Sequence, residues 1–326
     1  MHLTYYTKGG QSQKSHKHSG KMTQAIFIET AKAEMAAVDD KRRRLNVSGV
    51  LRILGVSRNG YYSFKHRKPS ERQKHKESIE DKIIDIYDES HKNYGAPKIT
   101  QKLHEIGEEI SEKTVGNYMR ELGIKAQYIK PYTATTTNSD FSSELKNILD
   151  QDFSPATPDA VWCTDITYIW TYDGFVYLTS VMDLYSRKII SWVLSLTLEA
   201  KWVVQAINKA KSIRNVDEAL IIHSDRGIQY TCEDYRKVTK DMITSYSKKA
   251  YPWDNACIES FHSLIKREWL NRFKIRDYNH AYRLVFEYLE AFYNTKRIHS
   301  HCDYMSPNDY EELYRRLQQN EEPMAS

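Results

Sequence analysis

VWCTDITYIW, residues 161–170, is the stretch on which the fold turns. Aromatic and β-branched residues crowd around a single acid, Asp165, which is the pattern of a strand. An ionised carboxylate in mid-strand is costly unless it is paired or meets a cation. Outward from it, Tyr172-Asp173-Gly174 reads as a hairpin turn, Phe175–Leu184 as a second strand and Lys188–Leu196 as a third. Glu199–Ile213 carries Val203, Val204, Ile207 and Ala210 at helical spacing. Ala219–Ser224, ALIIHS, is a short apolar run suited to a strand buried on both faces, and Asp225 ends it. A helix is expected over Glu233–Lys240 and a strand over Thr244–Ser247. A long helix capped by Asp254 should run to about Asn271, and another over Tyr278–Asn294.

Three antiparallel strands, then helix–strand–helix–strand–helix, is the order of an RNase H-like α/β domain. We expect a mixed five-stranded sheet with flanking helices over residues 158–300, and a C-terminal helix and tail over 301–326. The part before it differs in character. Residues 1–130 hold 25 Lys and Arg against 16 Asp and Glu, while the remainder holds 23 against 27, so the front is basic and the back slightly acidic. A basic front suits a polyanion such as nucleic acid, although a solvated helical surface gives the same count.

Residues 1–40 lack periodicity and read as a poorly ordered tail. Residues 41–75 open with Lys41-Arg42-Arg43-Arg44 and contain NVSGVLRILGVSRNGYYSF. There Ser48 and Ser57 are set to cap two helices broken at Gly55, a helix-turn-helix candidate followed by a basic linker. Residues 76–130 repeat the pattern. Ile79, Ile83, Ile86 and Tyr87 mark one helix, Tyr94–Pro97 stops it, Lys98–His104 makes a short one, and Ser111 caps a third that Gly123 ends. Residues 131–157 are rich in Pro, Thr and Ser and read as a linker with one helix over Ser142–Asp150.

Several classes are excluded. No run of about 18 apolar residues spans a membrane, and the N-terminal residues have no apolar leader core. The four cysteines form no CxxC pair, which argues against a disulfide framework or four-cysteine zinc site and suits the cytoplasm.

Three carboxylates stand at informative places: Asp165 in mid-strand, Asp225 at a strand's carboxyl end, and Glu259 early in the helix after the last strand. In this fold order the first and fourth strands are neighbours and that helix packs beside them, so the three converge on one cleft. Hard oxygen donors suit Mg²⁺ or Mn²⁺. Two such ions about 4 Å apart activate a hydroxyl and stabilise a leaving oxygen at a phosphodiester. Singly, each acid is more simply a cap or a surface charge. Asp183 also sits on a strand, with Arg187 the better candidate to satisfy it. Asn255 follows the helix cap and either orients Glu259, binds DNA or simply caps. His223 and His262 lie near the acids and suit packing or DNA proximity better than ligation. Arg297–Cys302, RIHSHC, lacks the second ligand pair a zinc site needs. Trp162, Tyr168 and Trp253 are candidates for base stacking, Trp162 more simply for the core.

WCTDITYI, VMDLYSRKIISW, HSDRGIQY, DNACIESFHSLIKRE and YNTKRIHSHCDYMSPNDY, in that order, resemble the integrase-type transposases of bacterial insertion sequences, the second-frame (OrfB) proteins of the IS3 family. YGAPKITQKL, GEEISEKTVGNYMRELGI and LGVSRNGYYSF resemble the helix-turn-helix region before that core. The resemblance covers about residues 45–312. It implies that Asp165, Asp225 and Glu259 form the family's DDE triad, holding two Mg²⁺ or Mn²⁺ ions, and that Lys266 is its DNA-contacting basic position. Arg58, Lys98, Lys113 and Asn255 are further candidate DNA contacts. The implied activity is cleavage at element ends and strand transfer on double-stranded DNA, by a homo-oligomer in the bacterial cytoplasm at the nucleoid, with a first-frame (OrfA) partner or fusion. The alternative is a DNA-binding protein that has lost catalysis. One departure bears on this: 33 residues separate Asp225 from Glu259, slightly fewer than the family usually has. We expect the shortening at the turn before Thr244, with the register of the Glu259 helix kept.

Overall fold

The computed structural model describes residues 51, 57–66, 68–126, 145–214, 219–248 and 251–321. The expected N-terminal tail, the first helix of the first helix-turn-helix candidate apart from Leu51, and residues 131–144 of the linker lie outside them. The chain divides into two units, Met1–Ser78 and Ile79–Ser326. In the first, Ser57 Oγ accepts the Gly60 N–H at 3.0 Å and caps helix α1 (Arg58–Lys65). Helix α2 (Glu71–Glu89) starts there and continues into the second unit.

In the second unit Ile79, Ile83 and Tyr87 form the buried stripe of α2. Helices α3 (Ala96–Glu105) and α4 (Glu112–Glu121) pack on it through Ile99, Leu103, Val115 and Met119. Pro97 sits in the first turn of α3, where its missing N–H costs nothing. Ser111 Oγ accepts the Thr114 N–H and caps α4.

The sheet follows: β1 (Val161–Thr171), β2 (Gly174–Asp183) and β3 (Ile189–Ser195), then α5 (Ala200–Ile213), β4 (Ile221–Ser224), a one-turn helix α6 (Ile228–Thr231), α7 (Glu233–Val238) and β5 (Ile243–Tyr246). Strand order is β3-β2-β1-β4-β5. β1–β2 and β2–β3 are antiparallel, while β1–β4 and β4–β5 are parallel. Gly174, at φ +117°, closes the β1–β2 hairpin in a conformation open to glycine. A 3₁₀ turn, Pro252–Asn255, leads into α8 (Ala256–Glu268), then come α9 (Tyr278–Tyr288), a π turn Leu289–Tyr293 and α10 (Pro307–Glu321).

Alternation along β1 sends Trp162 to one face, where α5 and α7 pack with Val203, Ile207 and Tyr235. Cys163 and, two residues on, Asp165 belong to the other face, where α8 supplies Ile258, Phe261 and Ile265. The expected linker helix is absent from its described part, Leu145–Asp150. Its N–H groups go elsewhere: Ile148 and Leu149 donate to Ser245 Oγ at 2.9 and 3.0 Å, and Lys146 O accepts the Tyr246 N–H at 2.9 Å. The segment seals the outer edge of β5 rather than coiling.

Candidate active site

Asp165 lies opposite Ser180 in the β1–β2 register. His262 of α8 reaches both: its Nδ1 is 3.3 Å from Asp165 Oδ2 and its Nε2 is 3.4 Å from Ser180 Oγ. Parallel pairing of Val161–Cys163 with Ile221–His223 brings the carboxyl end of β4, and hence Asp225, beside the same part of β1. The Gly227 N–H donates to Asp225 Oδ1 at 2.8 Å, and a Cβ on Gly227 would stand 3.0 Å from that oxygen. Glycine therefore suits the close turn around the carboxylate. Glu259 sits in the first turn of α8.

The charge of Asp165 reaches both of the other acids. Burial, then the charge of Asp165, pushes Asp225 up to about 6, against the pull of the Gly227 N–H. Burial, then Asp165 and Asp225, pushes Glu259 up to about 7. Asp225 and Glu259 are nonetheless both exposed to solvent. Among the described residues none of the three forms an ion pair with Lys or Arg; the His262 contact of Asp165 is the one recorded. Nor do any three His, Cys, Asp or Glu side chains among the described residues draw close enough to hold a metal ion as they stand. The cleft is thus a shared electrostatic site whose carboxylates are not clenched into a cluster.

Lys266, two turns after Glu259, is half-buried with Nζ 4.4 Å from the centre of the Tyr168 ring. Burial lowers its pKa, opposed by Asp165, which places the ammonium within electrostatic reach of that carboxylate. Ile258, Phe261, His262 and Ile265 are buried on α8, while Glu259 is exposed and Lys266 half-buried. The turn before β5 is tight, with Met242 N–H donating to Thr239 O at 3.0 Å.

Several residues depart from the sequence reading. Asp254 does not cap α8. It is fully buried and accepts from the Lys248 N–H at 2.7 Å, Asn147 Nδ2 at 2.8 Å and Gln151 Nε2 at 3.0 Å. Asn255 occupies the cap position without a side-chain cap bond; it is buried with Oδ1 unpartnered, which removes it as a surface DNA contact. Arg187 does not satisfy Asp183. The buried Asp183 carboxyl accepts the N–H groups of Asp159, Tyr185 and Ser186, and burial raises it to about 7. Arg187 instead donates to the carbonyls of Leu184 and Phe153. Lys98 is turned inward, its Nζ donating to Ile298 O at 2.7 Å, and so is not on an open helix face. Arg58 and Lys113 are exposed.

His223 is a packing residue, held between Ser245 Oγ at 2.9 Å and Ser247 Oγ at 3.1 Å. Trp162 is core, its Nε1 donating to Asp159. Tyr168 and Trp253 are exposed. In RIHSHC, Arg297 contacts His299, His301 contacts Tyr185 O, and Cys302 Sγ donates to Ser186 O. The contacts of His262 with Asp165 and of Gly227 with Asp225 were not read from the sequence. The spacing of His262, one turn after Glu259, relates it to that acid and carries no signal of the contact with Asp165.

Two integrase core domain models match, at residues 155–247 and 233–307, and an HTH-like domain model matches residues 74–132. The transposase for insertion sequence element IS904 of Lactococcus lactis is 36% identical over 76% of this chain and 98% of its own length. The chain belongs to the IS3 family of transposases. Transposase InsF for insertion sequence IS3A of Escherichia coli is 32% identical over 88% of this chain and 97% of its own length. A 31 kDa protein of insertion element IS600 from Shigella sonnei is 30% identical over 81% and 98%. As an IS3-family transposase, the chain is a DNA-cutting and strand-transferring enzyme with an integrase core behind an HTH-like domain. No described helix of this transposase is long and apolar enough to cross a membrane.

Proposed function

We propose that Asp165, Asp225 and Glu259 are the catalytic carboxylates of this transposase, acting with two divalent cations, Mg²⁺ or Mn²⁺. The observation that carries this is that Asp165 acts electrostatically on both Asp225 and Glu259, which are raised toward neutrality, with no Lys or Arg paired to the three among the described residues. An all-oxygen donor set under such repulsion fits hard divalent cations. Bound there, the ions would supply charge neutralisation at the phosphodiester and lower the pKa of the attacking hydroxyl. The chain's own residues do the rest. Asp165 is held by His262 on a rigid strand, the Gly227 N–H orients Asp225, and α8 carries Glu259 to the cleft. Lys266 stands beside the cleft, where an ammonium favours a DNA phosphate.

In the first reaction water attacks a phosphorus at an element end, and the P–O3′ bond breaks to leave a 3′-hydroxyl. In the second that hydroxyl attacks a target phosphodiester, so one P–O bond replaces another and no outside energy is required. Arg58 and Lys113, exposed on helices of the basic half, hold the duplex by phosphate contact. The working form is a homo-oligomer on DNA in the cytoplasm, at the nucleoid, together with a first-frame partner or fusion. A second reading, DNA binding without catalysis, draws on the open arrangement of the carboxylates. Asp165→Asn, Asp225→Asn and Glu259→Gln decide between them. We expect each to lower Mn²⁺-dependent cleavage of the element's own ends by about a thousandfold or more, the equivalent of several kcal/mol. Duplex binding should persist. Wild-type protein that binds the ends and neither cuts nor joins them would establish the second reading.

A further inference from the structure

A groove of about 360 Å³ lies where α3, the start of α8 and the segment 297–301 meet. Its polar lining is basic, with Lys98, Arg187, Arg297, His299, His301 and Ser260, and none of its lining residues is Asp or Glu. Arg297 is already neutralised, its Nε and Nη2 each 2.7 Å from a Glu268 oxygen. Lys98 and Arg187 are not: among the described residues neither has a carboxylate at ion-pair distance. Lys98 Nζ donates to Ile298 O and faces the Tyr94 ring, its centre 4.9 Å away. One recorded acceptor leaves donor capacity on an ammonium that has three N–H groups. Burial, then the charge of Arg297, lowers Lys98 to about 7. The groove therefore holds desolvated positive charge whose one opposing carboxylate, Glu268, is already bonded to Arg297, at cost to the folded chain.

We propose that this groove seats a backbone phosphate of duplex DNA. The inference rests on the transposase reading and adds to it a second anchorage for the substrate. Ser260 follows Glu259 on α8, so the phosphate would sit on the flank of the helix that carries the cleft carboxylate. A phosphate oxyanion pairs with the Lys98 ammonium and returns the desolvation cost. It also accepts from the Ser260 hydroxyl at the groove's lining. Inorganic phosphate offers the same chemistry without the duplex, and the two sources separate experimentally.

The test uses the full-length protein, without divalent metal, and a fluorescent duplex titrated at a series of salt concentrations. Lys98→Met should lower affinity several-fold and reduce the slope of log K against log salt by about one, the loss of one phosphate contact. Ser260→Glu, on an exposed helix position, guards against a folding artefact and should weaken binding similarly with unchanged circular dichroism. Duplex affinity and slope equal to wild type in both variants would overturn the proposal. So would a thermal shift by inorganic phosphate that Lys98→Met removes while duplex binding is untouched, since the groove would then serve the free ion. A wild-type chain that binds no duplex at all defeats the transposase reading itself, whereas unaltered variants with a DNA-binding wild type defeat the groove alone.

Discussion

His262 Nδ1 lies 3.3 Å from Asp165 Oδ2, and its Nε2 lies 3.4 Å from Ser180 Oγ, the residue facing Asp165 across the β1–β2 register. One imidazole thus ties α8 to the strand pair beneath the candidate catalytic carboxyl. Removing it leaves Asp165 free to change rotamer without removing a carboxylate. We expect His262→Ala to lower cleavage by about 10–100-fold, the usual cost of losing an orienting partner. Duplex affinity measured in parallel should stay within a factor of about two. Full activity in His262→Ala would show that the imidazole only fills space.

Lys98 gives the protein a distinctive response to alkali. Burial lowers its pKa in the folded chain to about 7, from the ordinary lysine value of 10.5. Between those values the unfolded chain holds a proton the folded chain lacks, so this residue makes stability rise with pH across that window. As pH falls through about 7 that contribution is gone. Lys98→Met should therefore be more stable than wild type at pH 7, by a few kcal/mol. The gap should close toward pH 10, read from urea midpoints of both proteins at each pH. A pH-independent gap would mean the ammonium is solvated in solution.

Asp254 ties the 147–151 segment to the chain after β5 by accepting from Asn147, Gln151 and the Lys248 backbone. A helix cap tolerates Ser for Asp, because either side chain accepts from the first turn. A buried three-donor acceptor does not. Asp254→Ser should cost about 2–4 kcal/mol, close to Asp254→Ala, because buried donors are left unmet in both. Near-wild-type stability of the serine variant, by chemical denaturation, would restore the capping role.

Glu268 and Arg297 form a buried, two-point ion pair, completed by the Tyr288 hydroxyl donating to Glu268 Oε2 at 2.8 Å. Glu268→Ala leaves a buried guanidinium unpaired and should cost about 3–5 kcal/mol. Replacing both partners by Met should recover much of that loss. A double variant no better than Glu268→Ala would mean that the pair fixes the local chain path rather than merely balancing charge.

The sheet was legible because its signals are local. Alternation in β1, the apolar run before Asp225 and the Asp173-Gly174 turn each fit within ten residues, and strand order followed from element order. Asp165, Asp225 and Glu259 were legible as carboxylates at the ends or middles of those elements. What misled depends on distant partners. Asp254 has the composition of a cap, yet donors more than 100 residues away in sequence claim it. Leu145–Asp150 belongs to the segment read as a helix, Ser142–Asp150, yet Ser245 takes the N–H groups of Ile148 and Leu149. Lys98 looks like any helical cation until Ile298, 200 residues on, supplies its acceptor. The contact of His262 with Asp165 likewise joins α8 to β1, and no local pattern announces it.

The strap formed by Leu145–Leu149 sets where this enzyme can be shortened. Arg226 Nη2 donates to Leu145 O, Lys146 O takes the Tyr246 N–H, and Ser245 serves Ile148 and Leu149. A recombinant fragment begun at residue 158 would strip that strap and leave the last strand as a bare margin, open to the strand of a neighbouring molecule. Such a fragment would reach the soluble fraction poorly and read as inactive for a reason unrelated to its chemistry. Fragments begun at or before Leu145 carry their own seal.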